Sequence, residues 1–329
     1  MSIQCQQGLA FLIRATKRFQ ATDSRDKIYA VLGLTPKHYK EFPVVYEDWK
    51  PLKNVLMHLV EFLIEEDKNL NIFLGNRSLK ERVGASWLPE LTAHCIYDMW
   101  IPGHFQLQAS AHIPPDVSFD FTCAILRARG IMVGTLQLVI EGPRPPTTEF
   151  ANTTTTIELI SSTGGVTFMS QLISFSRSLI GDGETETLWR TLVLDHDSSD
   201  IHPEYPAPND FGTMFEAAYC QGSGPESART GTQEALSIYE FTSPFIKSME
   251  KCVNDRCFFT TTDGGMGIGP SCAQSGDLVV MLYGGDCLFV LREVRERYEL
   301  IGDAYVHGVM HGELATESSL KNSRVFELE

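Results

Sequence analysis

The cysteines of this chain never come as a CxxC pair: Cys5, Cys95, Cys123, Cys220, Cys252, Cys257, Cys272 and Cys287 are scattered. A zinc site needs four convergent ligands that usually arrive as close pairs. The cysteines therefore read as thiols in a reducing compartment, and the chain is expected to be cytoplasmic and without metal. There is no apolar run near the ~20 residues of a membrane span. The apolar stretch Leu9 to Ile13 is too short for the core of a secretion signal, so the sequons at Asn76 and Asn152 carry no weight. Long blocks of one charge sign are also missing. The balance is 42 acidic against 27 basic residues, a net charge of −15 over 329 residues. Such a surface repels phosphate backbones and excludes nucleic acid as a general partner. GxSxG is absent, and no cysteine carries a recognisable base or oxyanion-hole signature. No catalytic residue, cofactor or metal is assigned, and the chain is expected not to be an enzyme.

Three places invite a chemical reading. Gly265, Gly267 and Gly269 alternate within 263–270, but GxGxxG spacing is missing and strands, not a helix N-terminus, flank the loop. A turn-rich hairpin loop with positive φ at several positions is the better reading. Asp195, His196 and Asp197, with Asp200 and His202 close by, have metal-ligand chemistry. Consecutive loop residues cannot converge on one ion without a special turn, so a solvated loop is expected. His307 and His311 would share a helix face, but Gly308 and Gly312 argue against a helix. Arg25 and Asp26 read as a salt-bridge pair.

What is present is organised by period. Residues 1–22 hold Arg14, Lys17 and Arg18 and no acid. They read as a basic helix with Ile3, Leu9, Leu12, Ile13 and Phe19 as its apolar face. Ile28, Tyr29, Val31 and Leu32 follow a cap at Thr22 or Asp23 and end at Gly33. Leu52, Val55, Leu56, Leu59, Val60 and Leu63 recur at three and four, predicting a helix over 52–65 that turns at Glu65–Asp67. Ser118–Ala128 and Ile131–Ile140 are strand-like runs about Arg129–Gly130, read as a hairpin. Pro143 to Thr156 reads as a linker. Helices are expected over 166–180, 184–194, 211–220 and 233–253, and strands over 256–262, 278–283, 287–292 and 298–306.

Several strings, in order, resemble those found after the core of fungal heterokaryon-incompatibility (HET) domain proteins. The first, Ala21-Thr22-Asp23-Ser24-Arg25-Asp26-Lys27-Ile28-Tyr29-Ala30-Val31-Leu32-Gly33-Leu34, is similar to the family's ATDPRDKVYALLGL, with Ser24 in place of Pro. Ser86-Trp87-Leu88-Pro89-Glu90 resembles SWxPDW, without its second Trp. Leu188-Trp189-Arg190-Thr191-Leu192 is similar to a WRTL string. The most specific runs from Phe259 through Gly264, Gly265, Met266, Gly267, Ile268, Gly269 and Pro270, then Gly276-Asp277, Phe289 to Arg292, and Tyr298 to Met310, closing on Gly312-Glu313. The core's own LSYxWG-like and WIDxxCIxQ-like strings are absent, so the chain reads as a truncated or C-terminal fragment or a stand-alone version of the region after the core.

The fold expected is α+β: mainly helical N-terminal and middle parts with a β-hairpin, and a small C-terminal antiparallel β-barrel-like domain. The divisions expected are 1–142, a helical region with the hairpin; 143–165, a linker; 166–254, helical; 255–313, the small barrel or sheet; and 314–329, a tail. The resemblance implies a non-catalytic accessory or regulatory region for non-self recognition and programmed cell death. Its implied partner is a HET core in cis or in trans. The alternative is a module on the C-terminal barrel that senses a small molecule or peptide, with Asp277, Tyr305 and His307 as candidate ligand-binding residues.

Overall fold

The computed structural model of the chain describes residues 8–17, 19–47, 51–75, 83–91, 107–144, 163–178, 182–197, 203–220 and 233–329. Most of the expected linker, the sequons at Asn76 and Asn152, and Asp200 and His202 lie outside them. Helices α1 (Leu9–Ala15), α2 (Asp26–Leu32), α3 (Leu52–Asp67), α4 (Thr163–Ser176), α5 (Asp182–Leu192), α6 (Asp210–Phe215), α7 (Gln233–Val253) and α8 (Glu317–Lys321) accompany eight strands. The strands are β1 (Val117–Asp120), β2 (Ile125–Glu141), β3 (Arg256–Thr261), β4 (Met266–Pro270), β5 (Leu278–Leu282), β6 (Leu288–Val294), β7 (Arg297–Val306) and β8 (Arg324–Leu328). Two compact units result. The first is Met1–Val133, Asp277–Asp303 and Val309–Glu329; the second is Gly134–Gly276 and Ala304–Gly308.

In the first unit the expected helix periodicity is realised. On α3, Val55, Leu56, Leu59, Val60 and Leu63 are all buried, each burial contributing about 1.5–3 kcal/mol before entropy. The helix ends where expected: Lys68 is left-handed, with φ 54°, and its N–H donates to the Ile64 carbonyl. On α1, Leu9 and Ile13 are buried but Phe19, assigned to the same apolar face, is 70% exposed because the helix stops at Ala15. Helix α2 buries Ile28, Tyr29, Val31 and Leu32. Its preceding Arg25 pairs not with Asp26 but with both carboxylate oxygens of Asp23, at 2.6–3.0 Å. Asp26 instead accepts the Tyr46 hydroxyl.

The hairpin expected about Arg129–Gly130 is placed elsewhere. β1 and β2 are joined by residues 121–124, with Ala124 at φ 56°, and Arg129–Gly130 lies inside the long β2. Gly130 is needed for close approach rather than for a turn: a Cβ there would sit 2.5 Å from the Met281 carbonyl oxygen. Residues 314–329, read as a tail, contain α8 and β8. Strand β8 pairs with β2 through Leu126↔Leu328 to Gly130↔Arg324 and buries Phe326 and Leu328.

In the second unit the later half of β2 pairs with β3, and β3 with β4, both antiparallel. The expected turn-rich loop over 263–270 is therefore half strand. Only Gly264 has positive φ there, at 83°. Gly267 and Gly269 lie in β4, where a Cβ on Gly267 would meet the Phe259 ring and the Tyr305 carbonyl oxygen at 2.4 Å. Glycine here admits a large ring across the strand pair. The pairing order over all strands is β1–β2–β3–β4–β7–β6–β5, with β8 beside β2 and β7 and a further β2–β5 pairing that closes it into a ring. The C-terminal strands thus need β2, from the middle of the chain, to pair their edges. Around the second unit's sheet, Phe211, Phe215 and Tyr219 set their rings against Phe245 of α7, and Phe175 of α4 sets its ring against Phe258.

Candidate functional site

A buried polar centre grows from the string Trp189-Arg190-Thr191-Leu192 at the end of α5. Leu188 and Leu192 are fully buried, which draws Arg190, at 9% exposure, in with them. The helix closes on two successive left-handed residues, Leu194 and Asp195, at φ 54° and 55°. That reversal brings the Asp195 N–H to the Arg190 carbonyl at 2.7 Å. It also aims the Asp195 carboxylate back at Arg190, whose Nη1 donates to Asp195 Oδ1 at 2.6 Å.

The guanidinium is used on every side. Nη1 also reaches the Ala207 carbonyl at 3.0 Å, Nη2 reaches Asn209 Oδ1 at 2.8 Å, and Nε reaches Glu186 at 2.8 Å. Its Cζ lies 4.3 Å from the Trp189 ring centroid. Burial alone would lower the Arg190 pKa, but the bonds to Glu186 and Asp195 outweigh it and hold it above the ordinary value. Asp195 Oδ1 accepts the Ala207 N–H as well, at 3.1 Å. Asp195 and His196 were expected in a solvated loop; both are buried, at 6% and 2%. Arg190 is the reason, because it pairs the charge that would otherwise keep the loop in water.

His196 Nδ1 lies 2.6 Å from the Leu194 carbonyl oxygen. A carbonyl only accepts, so Nδ1 carries the proton. The His196 ring lies against that of Tyr205, at 5.2 Å between centroids, while the Tyr205 side of the pair is 53% exposed. Asp197 and Glu204 bond each other twice, and Ser248 of α7 donates to the Asp197 carbonyl at 2.5 Å.

Of the three candidates named from sequence, Tyr305 and His307 are brought together. Tyr305 Oη lies 3.1 Å from His307 Nδ1, and His307 is half-buried. The Tyr305 phenol is pushed well above its ordinary value, first by burial and then by the charge of Asp195, with Tyr205 and Cys252 adding and Arg190 opposing. It therefore stays protonated. Asp277 belongs to the other unit. Its two oxygens take Arg292 Nε and Nη2 at 2.8 Å each, beside the Leu278↔Leu291 register of β5 and β6. The ion pair ties β5 to β6.

His307 and His311 share no helix face: Gly308 and Gly312 turn the chain at φ 81° and 96°. Among the described residues no group of three or more His, Cys, Asp or Glu side chains could hold a metal ion. Sequence reading missed Arg190, Asp195, Tyr205 and Asn209 as one centre. The available signal was a single cation inside the otherwise apolar run Leu188 to Leu194. What this centre does chemically is hold: it fixes residues 194–197 and 203–209 against α5, and presents Tyr205 from a rigid base.

Residues 226–324 match the Het-6 beta-barrel domain family. Over 61 residues the chain is 43% identical to "Heterokaryon incompatibility protein 6, OR allele" of Neurospora crassa. That alignment covers 17% of this chain and 9% of the Neurospora protein. No solved structure matches the chain.

Proposed function

We propose that the chain, whose residues 226–324 match the Het-6 beta-barrel domain family, acts in heterokaryon incompatibility as a non-catalytic accessory or regulatory region beside a HET core. In this reading it contributes to non-self recognition and programmed cell death by contact, in the cytoplasm, rather than by chemistry of its own.

The observation that carries the proposal is how the string 21–34 is used. Its polar side chains are turned to internal ties. Arg25 holds Asp23, and Asp26 takes Tyr46. Lys27 Nζ donates to the carbonyls of Lys17 and Leu91 at 3.1 and 2.7 Å, and the Tyr29 hydroxyl donates to the Val45 carbonyl at 3.0 Å. Large apolar side chains beside them are left in water: Leu34 at 70%, Val44 at 55% and Tyr46 at 50% exposure. A rigid base with exposed aromatic and aliphatic side chains suits a protein partner better than a reacting substrate.

The test is direct binding between the purified chain and a purified HET core, measured by calorimetry. Saturable association is expected. Leu34→Asp is expected to weaken it about tenfold or more, the size of one interface anchor. Leu34 is exposed, so this change should leave the fold intact, which its circular dichroism would verify. No association of the wild-type chain, or association indifferent to Leu34→Asp and Val44→Asp together, would overturn the reading.

A further inference from the structure

In the first unit, the turn between β5 and β6 receives three separate main-chain bonds. Leu70 N–H donates to the Gly284 carbonyl at 2.9 Å, Ser110 N–H to Gly285 at 3.2 Å, and Ala109 N–H to Asp286 at 3.1 Å. Two distant segments, about 70 and about 110, are thus docked on one turn. A side-chain contact adds to them: Asn71 Nδ2 donates to Asp286 Oδ2 at 2.8 Å.

That contact is half made. Asn71 is buried, and its Oδ1 has no hydrogen-bond partner. A buried acceptor without a donor is destabilising, because in the unfolded chain water would satisfy it. The amide cannot be turned round to fix this, since its nitrogen already serves the carboxylate. A carboxylate has no proton to offer Oδ1. A carboxylic acid does. Its carbonyl oxygen keeps the Nδ2–H bond while its O–H donates to the amide oxygen, closing a two-bond ring between the two side chains.

We propose that Asp286 and Asn71 form a proton-operated latch on the β5–β6 turn, closed when Asp286 takes a proton from solvent on Oδ1 and half open when it gives the proton back. Arg14 of α1 donates to the main-chain oxygen of Asn71, not to its side chain. Among the described residues the charge that acts on the carboxyl is that of His112, from the turn at 109–113, and it favours the ionised form. Burial acts more strongly the other way, so the Asp286 carboxyl is held above its ordinary value of 3.8 despite the Asn71 bond and His112.

A carboxyl raised on folding binds its proton more tightly in the native state, so its contribution is fully present below 3.8 and is lost as pH rises through the folded value. Melting temperatures of the full chain, taken from about pH 4 to about pH 8, should therefore fall for wild type relative to Asp286→Asn. The expected relative shift is roughly 2–4 °C. Asn at 286 keeps a neutral donor and acceptor for Asn71, so this variant should fold. Carboxyl-carbon NMR of the wild-type chain reads the proton itself, with the Asp286 signal assigned by its loss in Asp286→Asn. An Asp286 midpoint clearly above 3.8 is expected. A midpoint at or below 3.8, or identical pH profiles for wild type and Asp286→Asn, would overturn the latch.

Discussion

Trp87→Ala should lower the free energy of unfolding by about 3–5 kcal/mol, which would make it one of the two most damaging single changes to the chain. Trp87 is fully buried and lies against Phe119 of β1, with ring centroids 5.9 Å apart. Its indole N–H donates to the Ala124 carbonyl at 3.0 Å, in the left-handed turn between β1 and β2. The neighbouring Ser86 adds two further ties. Its N–H donates to the Glu329 carbonyl at 2.8 Å, and its hydroxyl accepts the Leu300 N–H at 2.8 Å. Residues 86 and 87 therefore hold a turn, β7 and the C-terminus of the first unit. Alanine leaves a cavity and an unmatched carbonyl. Trp87→Phe keeps much of the volume and loses the bond, and should cost about 1–2 kcal/mol. Urea unfolding followed by circular dichroism separates the two. Equal, small losses for both would show that Trp87 is not a packing anchor.

Arg190→Met is the second large effect, again about 3–5 kcal/mol. The loss comes less from the ion pair than from what remains. Asp195 stays buried with its charge unmatched, and the Ala207 carbonyl and Asn209 Oδ1 lose their donor. The pair Arg190→Met with Asp195→Leu should be less destabilised than Arg190→Met alone, since removing both charges removes the burial cost. A double-mutant cycle in urea measures this coupling. Simple additivity of the two single changes would mean that Arg190 and Asp195 do not depend on each other.

These two residues show how far sequence carries. Trp87 and Arg190 both sit in strings whose resemblance to a family marks them without saying why. The helices were legible because their apolar residues repeat locally: α3 and α7 begin at the residues that periodicity names. Strand β4 was not, because Gly267 and Gly269 look the same in a turn as they do beneath the Phe259 ring, and only the pairing of β3 with β4 decides. Gly130 was misplaced for the same reason, its neighbour Met281 being far along the chain. The burial of Asp195 was hidden because a loop of Asp, His, Ser and Pro is normally solvated, and the cation that changes this comes from the preceding helix. Of the candidate ligand-binding residues, the Tyr305–His307 contact lies two residues apart and could be read locally. The engagement of Asp277 with Arg292 follows from strand register, which a single sequence shows only once the hairpin is drawn.

We propose that this chain triggers no death by chemistry of its own and acts through a HET core. Expressing the full chain in a fungal host, alone and together with a HET core, and counting dead cells, tests it most directly. Background death with the chain alone, and a change in HET-core-dependent death that Leu34→Asp abolishes, is the expected result. Death caused by the chain alone would overturn this proposal.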